Sequence, residues 1–169
     1  FQLWINLPAG QKMTAPEYQE IRPQAIPEVN AEGSAVRVIA GAFADQQGPV
    51  TDPNTQFHFL DVSLQAGSVF VHSLPQDHTA FTYVFEGSAS IGADAVKEQH
   101  LAVLDKGEQV SITADAEGAR FLLVAGRAID EPIVQNGPFV MTTRDEIEQA
   151  LSDYRNGMLV QTRAEMINR

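Results

Sequence analysis

Cysteine is absent from the 169 residues, which excludes disulfide staples, thiolate nucleophiles and cysteine-ligated zinc or iron–sulfur sites together. Positive charge is scarce: 11 Lys and Arg stand against 22 Asp and Glu, for a formal charge of -11. Tracking phosphates takes clustered basic side chains, so no direct nucleic-acid ligand is expected. Long apolar runs are missing as well, none approaching the about 20 residues of a membrane-spanning helix, so no membrane span is expected. The start FQLWINLPAGQKM lacks the basic-then-apolar order of a secretory leader, and a cysteine-free chain of this kind suits a reducing cytoplasm. Serine nucleophile elbows and the glycine-rich loops that cradle phosphates are also missing.

What is present is an ordinary globular composition, 44% apolar and 20% charged, long enough for a single core. The first seven residues, FQLWINL, alternate apolar and polar as a strand does before Pro8 interrupts them. A strand with nothing before it needs a partner, so the chain reads as a piece of a longer protein. Residues 8–34 hold Pro8, Pro16, Pro23 and Pro27 with Gly10 and Gly33, the mark of a long irregular connector.

From there short strand-like segments recur: 35–43, 56–64, 79–85, 101–104, 109–113 and 119–125. Breaks such as Asp52-Pro53-Asn54, Gln65-Ala66-Gly67 and Glu117-Gly118 separate them. Many short strands at this spacing predict an antiparallel jelly roll or barrel. In 56–64, Leu60, Val62 and Leu64 share a face with His58, and in 79–85 Ala80, Thr82 and Val84 oppose Phe81, Tyr83 and Phe85.

Only the tail reads as helix. Thr142 or Thr143 caps it, Asp145, Glu146 and Glu148 suit its N-terminus, and Ile147, Leu151 and Tyr154 line one side before Asn156-Gly157 ends it. Residues 158–169 read as a polar coda, either a further helical turn or a frayed end.

The chemistry-bearing candidates are few. The stretch GSVFVHSLPQDHTAFTYVFEG (67–87) has the look of a metal-carrying hairpin, and His72, His78 and Glu86 are the ligand set to weigh, with His58 nearby in the pattern. The two-part motif of cupin barrels, G-x5-H-x-H-x3/4-E-x6-G followed by P-x-G-x2-H, fits the glycines Gly67, Gly87 and Gly107. With His72 at the first His position, Leu74 falls at the second, Ala80 at the Glu and Val110 at the last His. A transition ion needs three or four converging N or O donors, so the residues favour no metal and no catalytic set here, and the barrel interior reads as packed core. His72 and His78 read as solvent-side or hydrogen-bonded loop residues, His58 as a core or interface histidine and His100 as a surface turn residue. The cluster Asp145, Glu146 and Glu148 is accounted for by the helix dipole.

In order along the chain, FQLWINLP, KMTAPEYQEI, the cupin-like stretch above, ARFLLVAGRAIDEPIVQNGPFVM and EIEQALSDYRNG resemble the C-terminal half of pirin-family proteins. The resemblance implies a double-stranded β-helix, the cupin barrel, followed by a C-terminal helix. It divides the chain into 1–13, a strand of a preceding barrel; 14–34, a connector; 35–135, the C-terminal barrel; and 136–169, a docking segment and helix. Pirins are two-barrel proteins with one iron in the N-terminal barrel, so the resemblance implies no cofactor in this half and iron in the half before it. It also implies a structural, partner-binding role here, with quercetin 2,3-dioxygenase-like or redox-sensing co-regulator activity belonging to the whole protein. The partners implied are the N-terminal barrel, a regulatory protein and, through the orphaned strand Phe1–Leu7, a second copy. Leu3, Trp4, Ile5 and Leu7 with Phe139 and Met141 form the expected contact surface. The alternative is an independent metal enzyme using His72, His78 and Glu86 for oxygen chemistry.

Overall fold

The computed structural model describes residues 1–52 and 54–168. Its elements in order are β1 (Glu17–Glu20), β2 (Glu28–Ala31), β3 (Ser34–Ala40), β4 (Ala42–Phe43), β5 (Gln46–Gln47), β6 (His58–Leu64), β7 (Val69–Ser73), β8 (His78–Ile91), β9 (Asp94–Lys97), β10 (His100–Val103), β11 (Gln109–Arg127), β12 (Val134–Asn136), β13 (Phe139–Met141), α1 (Arg144–Arg155) and β14 (Glu165–Asn168). The chain forms two compact units, one of Arg22–Ala128 and one joining Phe1–Ile21 to Ile129–Arg169.

The first unit is the expected antiparallel jelly roll, with strand order β10-β8-β11-β6-β3-β2 and with β7 on β11 and β9 on β8. Its inward face follows the expected alternation: Val36 and Val38 on β3, Leu60, Val62 and Leu64 on β6, and Val84 on β8 meet Phe70, Ile112, Phe121 and Leu123 in one core. The barrel is held together chiefly by the removal of this apolar surface from water.

Two long strands bend to serve both halves of the roll. β11 pairs with β7 through Gln109–Thr113 and with β6 through Ala119–Ala125, while β8 follows it along both stretches. The predicted break at Glu117-Gly118 is therefore a bulge inside one strand, marked by a register shift between Ala114 and Ala119. Gly118 has φ +82 and Gly87, paired with the neighbouring Ala119, φ +70. A side chain on Gly87 would collide with the Gly118 carbonyl oxygen, and one on Gly118 would come within 2.8 Å of the Leu64 carbonyl oxygen. A positive-φ glycine serves a turn or a bulge equally well, so the sequence signal alone does not separate the two. Asp115 fastens the corner by accepting from the Ser88 and Ser90 hydroxyls at 2.8 and 3.3 Å.

The predicted connector carries two pieces of ordered strand, β1 and β2, the latter paired with β3. At the break before β6, Asn54 donates to the Asp52 carboxylate at 2.9 Å; Pro53 lies outside the described residues.

In the second unit β12 and β13 form a hairpin, α1 follows it, and β14 pairs in parallel with β1. The coda is thus neither helix nor frayed end through Asn168, because its backbone finds the β1 edge; Arg169 lies outside the described residues. Thr143 is the N-cap and makes a full capping box: its Oγ1 accepts from the Glu146 amide at 3.2 Å, and the Glu146 carboxylate accepts from the Thr143 amide at 2.9 Å. The helix stops at Asn156 before Gly157 at φ +69. Its buried residues are Ile147 and Ala150, so the buried stripe turns one position away from Leu151 and Tyr154, and Tyr154 instead meets the Phe139 ring at 6.2 Å. The alternating Phe1–Leu7 segment forms no strand: an alternating pattern becomes one only on a paired edge, and this segment joins no strand ladder among the described residues. No helix among the described residues is long and apolar enough to cross a membrane.

Candidate functional site

Three of the four histidines meet at one end of the jelly roll. His58 opens β6 opposite Ala125 of β11, His72 sits on β7 opposite Val110, and His78 opens β8 opposite Arg127. The Leu74–Asp77 segment doubles back tightly: the Leu74 amide donates to the Glu108 carbonyl at 2.9 Å and the His78 amide to the Pro75 carbonyl at 3.0 Å. That return swings His78 onto the inner face with Ala80, Thr82 and Val84.

The His58 Nδ1 and His72 Nε2 atoms are 3.3 Å apart. The His58 ring centre is 5.4 Å from that of His72 and 5.7 Å from that of His78. His72 also leans on Phe43, 5.6 Å away. His78 is only 6% exposed, and both its ring nitrogens are buried without a hydrogen-bond partner. The reading of His72 and His78 as solvent-side or hydrogen-bonded loop residues is corrected for His78, a core residue without a side-chain hydrogen bond; His72 is hydrogen-bonded, with His58, but from a strand and partly buried. Sequence spacing missed this because the residues that meet lie on three different strands.

Burial disfavours the charged form of all three rings. Burial first, then the neighbouring His58, lowers His72 from 6.5 to about 4. His58 is lowered by burial and then by His78, against a backbone hydrogen bond to Ala42 that raises it. For His78 burial again leads, with Asp77 raising and Arg127 lowering. The cluster is neutral at physiological pH. His100 is the surface residue expected, exposed at the start of β10 with Nδ1 2.9 Å from the Glu98 carbonyl.

Glu86 does not join the histidines. β8 skips a register position at Phe85, where Arg120 faces Glu86 but Phe121 faces Val84, and the bulge turns Glu86 to the outer face. There its carboxylate, 65% exposed, lies 3.6 Å from Arg120, whose guanidinium donates to both Asp61 oxygens at 3.0 and 2.8 Å and stands 5.1 Å over the Phe85 ring. The set His72, His78 and Glu86 is therefore not assembled.

The positions at which the cupin motif places donors do converge. Leu74, Ala80 and Val110 line one cavity of about 440 Å³, together with His78, Val96 and Leu104. Sequence reading expected this interior to be filled; a hollow opens at these positions instead. Among the described residues no three His, Cys, Asp or Glu side chains are grouped as a metal-ligand set. A three- or four-donor iron site of the mixed His and carboxylate kind does not fit this barrel.

In the second unit, Trp4, Ile5 and Leu7 line a depression of about 450 Å³ with Phe139 and Met141. Five of the six residues singled out as a contact surface are thereby brought together; Leu3 is partly buried and lies outside that lining. Trp4 is 70% exposed, unusual for an indole.

The description "Pirin C-terminal cupin domain" matches residues 59–160. A Pseudomonas aeruginosa protein with a provisional quercetin 2,3-dioxygenase name is 44% identical over 167 residues, spanning 94% of this chain and 58% of its own length. Mouse pirin is 38% identical over 160 residues, spanning 92% and 55%. Among solved structures, quercetin 2,3-dioxygenase from Acinetobacter baumannii superposes with a TM-score of 0.85 at 34% identity, over 92% of this chain and 55% of that one. The chain thus spans a little over half the length of these relatives. With the jelly roll, the replaced donor positions and the capped C-terminal helix all in place, this chain belongs to the pirin family and carries its C-terminal cupin domain.

Proposed function

We propose that this chain is a non-catalytic cupin domain, the structural and partner-binding half of a two-barrel pirin whose other half holds the iron. The observation that carries this reading is the fate of the donor positions: Leu74, Ala80 and Val110 all face one cavity, and none offers a lone pair to an ion. The carboxylate that an alternative site would need, Glu86, is engaged with Arg120 on the outer face. Dioxygenase activity, in keeping with the names its relatives carry, or redox sensing then belongs to the whole molecule. The test is oxygen uptake with quercetin after loading with ferrous iron. No turnover by this chain, beside turnover by a full-length relative treated alike, is expected; turnover lost on changing His72 and His78 would overturn the reading.

The partner of this half is the N-terminal barrel of the same protein, and a regulatory protein is the further partner of the assembled molecule. Deprived of the first, the apolar residues around Trp4 and Phe139 drive self-association in this reading. Light scattering should show dimer or larger species at micromolar concentration, and Trp4→Ala should shift them to monomer. A monomer at every concentration would sink that part. The cytoplasm is the proposed location, and fractionation of expressing cells checks it.

A further inference from the structure

Three polar side chains are buried among the described residues: Thr55, Thr82 and His78. Thr55 donates to the Asp52 carboxylate, and Thr82 donates to the Leu122 carbonyl at 3.0 Å. His78 is the exception, 6% exposed and with neither ring nitrogen hydrogen-bonded among the described residues. The Asp77 carboxylate stands 4.0 Å from its Nε2, beyond hydrogen-bond reach. Leaving a buried donor or acceptor unpaired is costly, and native structures rarely do so. Period two along β8 puts the His78 side chain on the same inward face as Ala80, and both residues line the cavity of about 440 Å³. The χ2 torsion of a histidine is two-fold. A half-turn exchanges each nitrogen with a ring carbon and keeps the ring's outline, so the edge bordering the cavity can present a nitrogen to an occupant.

The rest of the lining defines that occupant. Leu74, Ala80, Ile91, Val96, Leu104 and Val110 give an aliphatic wall, which holds a molecule by removing apolar surface from water. The other lining side chains with hydrogen-bonding groups, Asp94, Asp105, Lys106, Gln109 and Ser111, are exposed and mark the side open to solvent. Two carboxylates against one ammonium there, on a chain of charge -11, disfavour an anion. Burial lowers the pKa of His78, so its imidazole is neutral and offers one donor and one acceptor, the same pair that a hydroxyl offers. One buried polar contact does not suit a sugar, whose further hydroxyls would go unpaired. At about 30 Å³ per water-sized group, a cavity of about 440 Å³ admits at most about 15 non-hydrogen atoms. We propose that this cavity binds a neutral, largely hydrocarbon molecule of that size carrying one hydroxyl group, which His78 holds by a hydrogen bond. The site takes in the motif positions Leu74, Ala80 and Val110 and needs no ion. It goes beyond the scaffold reading by giving this half a ligand of its own.

The test is calorimetric titration of the chain with naphthol, which lies within that size, and with naphthalene, which lacks the hydroxyl. Naphthol is expected to fill one site per chain and to bind at least about tenfold tighter than naphthalene, the worth of one buried hydrogen bond. In H78L that preference should fall below about threefold. A102L, which adds side-chain bulk to the cavity wall from β10, should weaken naphthol binding at least about tenfold. Should either variant fail to fold, ¹⁵N imidazole spectra of the unaltered chain decide: naphthol, and not naphthalene, must shift a ring nitrogen of His78 and leave those of His100 in place. No saturable binding up to the solubility of naphthol, equal affinity for naphthalene, a preference retained in H78L, undiminished binding in A102L or unmoved His78 nitrogens would each overturn the assignment. Naphthol binding without quercetin turnover satisfies this inference and the scaffold reading together, whereas quercetin turnover would overturn the scaffold reading alone.

Discussion

The two units of this chain bury their apolar residues very differently. In Arg22–Ala128 a continuous cluster from Val36 to Ala125 is almost wholly withdrawn from water. In the unit of Phe1–Ile21 with Ile129–Arg169, the buried apolar residues among those described are Ile147 and Ala150, while Phe1, Trp4, Ile133, Tyr154, Met158 and Val160 are exposed. The barrel draws its stability from its own interior. The terminal unit holds by local devices, namely a capping box, a short hairpin and a two-strand parallel pair, and leaves apolar surface outward. A segment of that kind is suited to be completed by something else.

The sharpest way to break this contrast is to hollow the barrel. Phe121, fully buried and edge-to-face with Phe70 at 5.7 Å, should cost about 3–5 kcal/mol on Phe121→Ala, read by denaturant unfolding. A loss below about 1 kcal/mol would mean that the interior is not the source of stability. Next is the corner where β8 and β11 bend: Gly87→Ala forces a β-carbon against the Gly118 carbonyl at a positive φ and should cost about 2–4 kcal/mol by the same measurement. Wild-type stability in that variant would show that the corner yields freely.

The imidazole end of the barrel gives an acid signature. The three rings titrate below their ordinary value when folded, His72 at about 4, so the unfolded chain takes up protons first as pH falls. Stability should therefore be steady above about pH 6.5, decline by about 1–3 kcal/mol between pH 6.5 and 4, and receive no further change from His72 below that. His72→Gln should flatten part of this slope; an unaltered slope would locate the acid sensitivity elsewhere. The smallest effect belongs to the terminal unit. Thr143→Ala removes one half of the capping box and should cost about 1 kcal/mol, seen as helix loss at lower temperature with the barrel transition unmoved. A shift of the barrel transition by the same amount would show the two units to be one cooperative body.

Much of the fold was legible because it is written locally. Alternation grouped Leu60, Val62 and Leu64 on one face and set Phe81, Tyr83 and Phe85 opposite Ala80, Thr82 and Val84, and Thr143, Glu146 and Asn156-Gly157 marked both ends of α1. What stayed hidden depends on pairing. β1 and β14 are the tetrapeptides EYQE and EMIN, too short to carry a strand pattern, whose strand character comes from each other, and the bulges at Phe85 and Gly118 come from register between β8 and β11. The site followed the same division. That the motif positions hold Leu74, Ala80 and Val110 could be read directly, but that His58, His72 and His78 share one pocket could not, since each is brought there by a different strand.

The sequence by itself determined that this is a β-rich, cysteine-free cupin domain without the family's ligand pattern, because residue identity and period-two alternation are properties of the chain alone. The tertiary structure decided which side chains share a space: a hollow where a filled interior was expected, Glu86 turned outward by one skipped residue, and three neutral imidazoles gathered at a strand end. Those outcomes rest on register and on the packing of strands distant in sequence, and neither is encoded in any single stretch of residues.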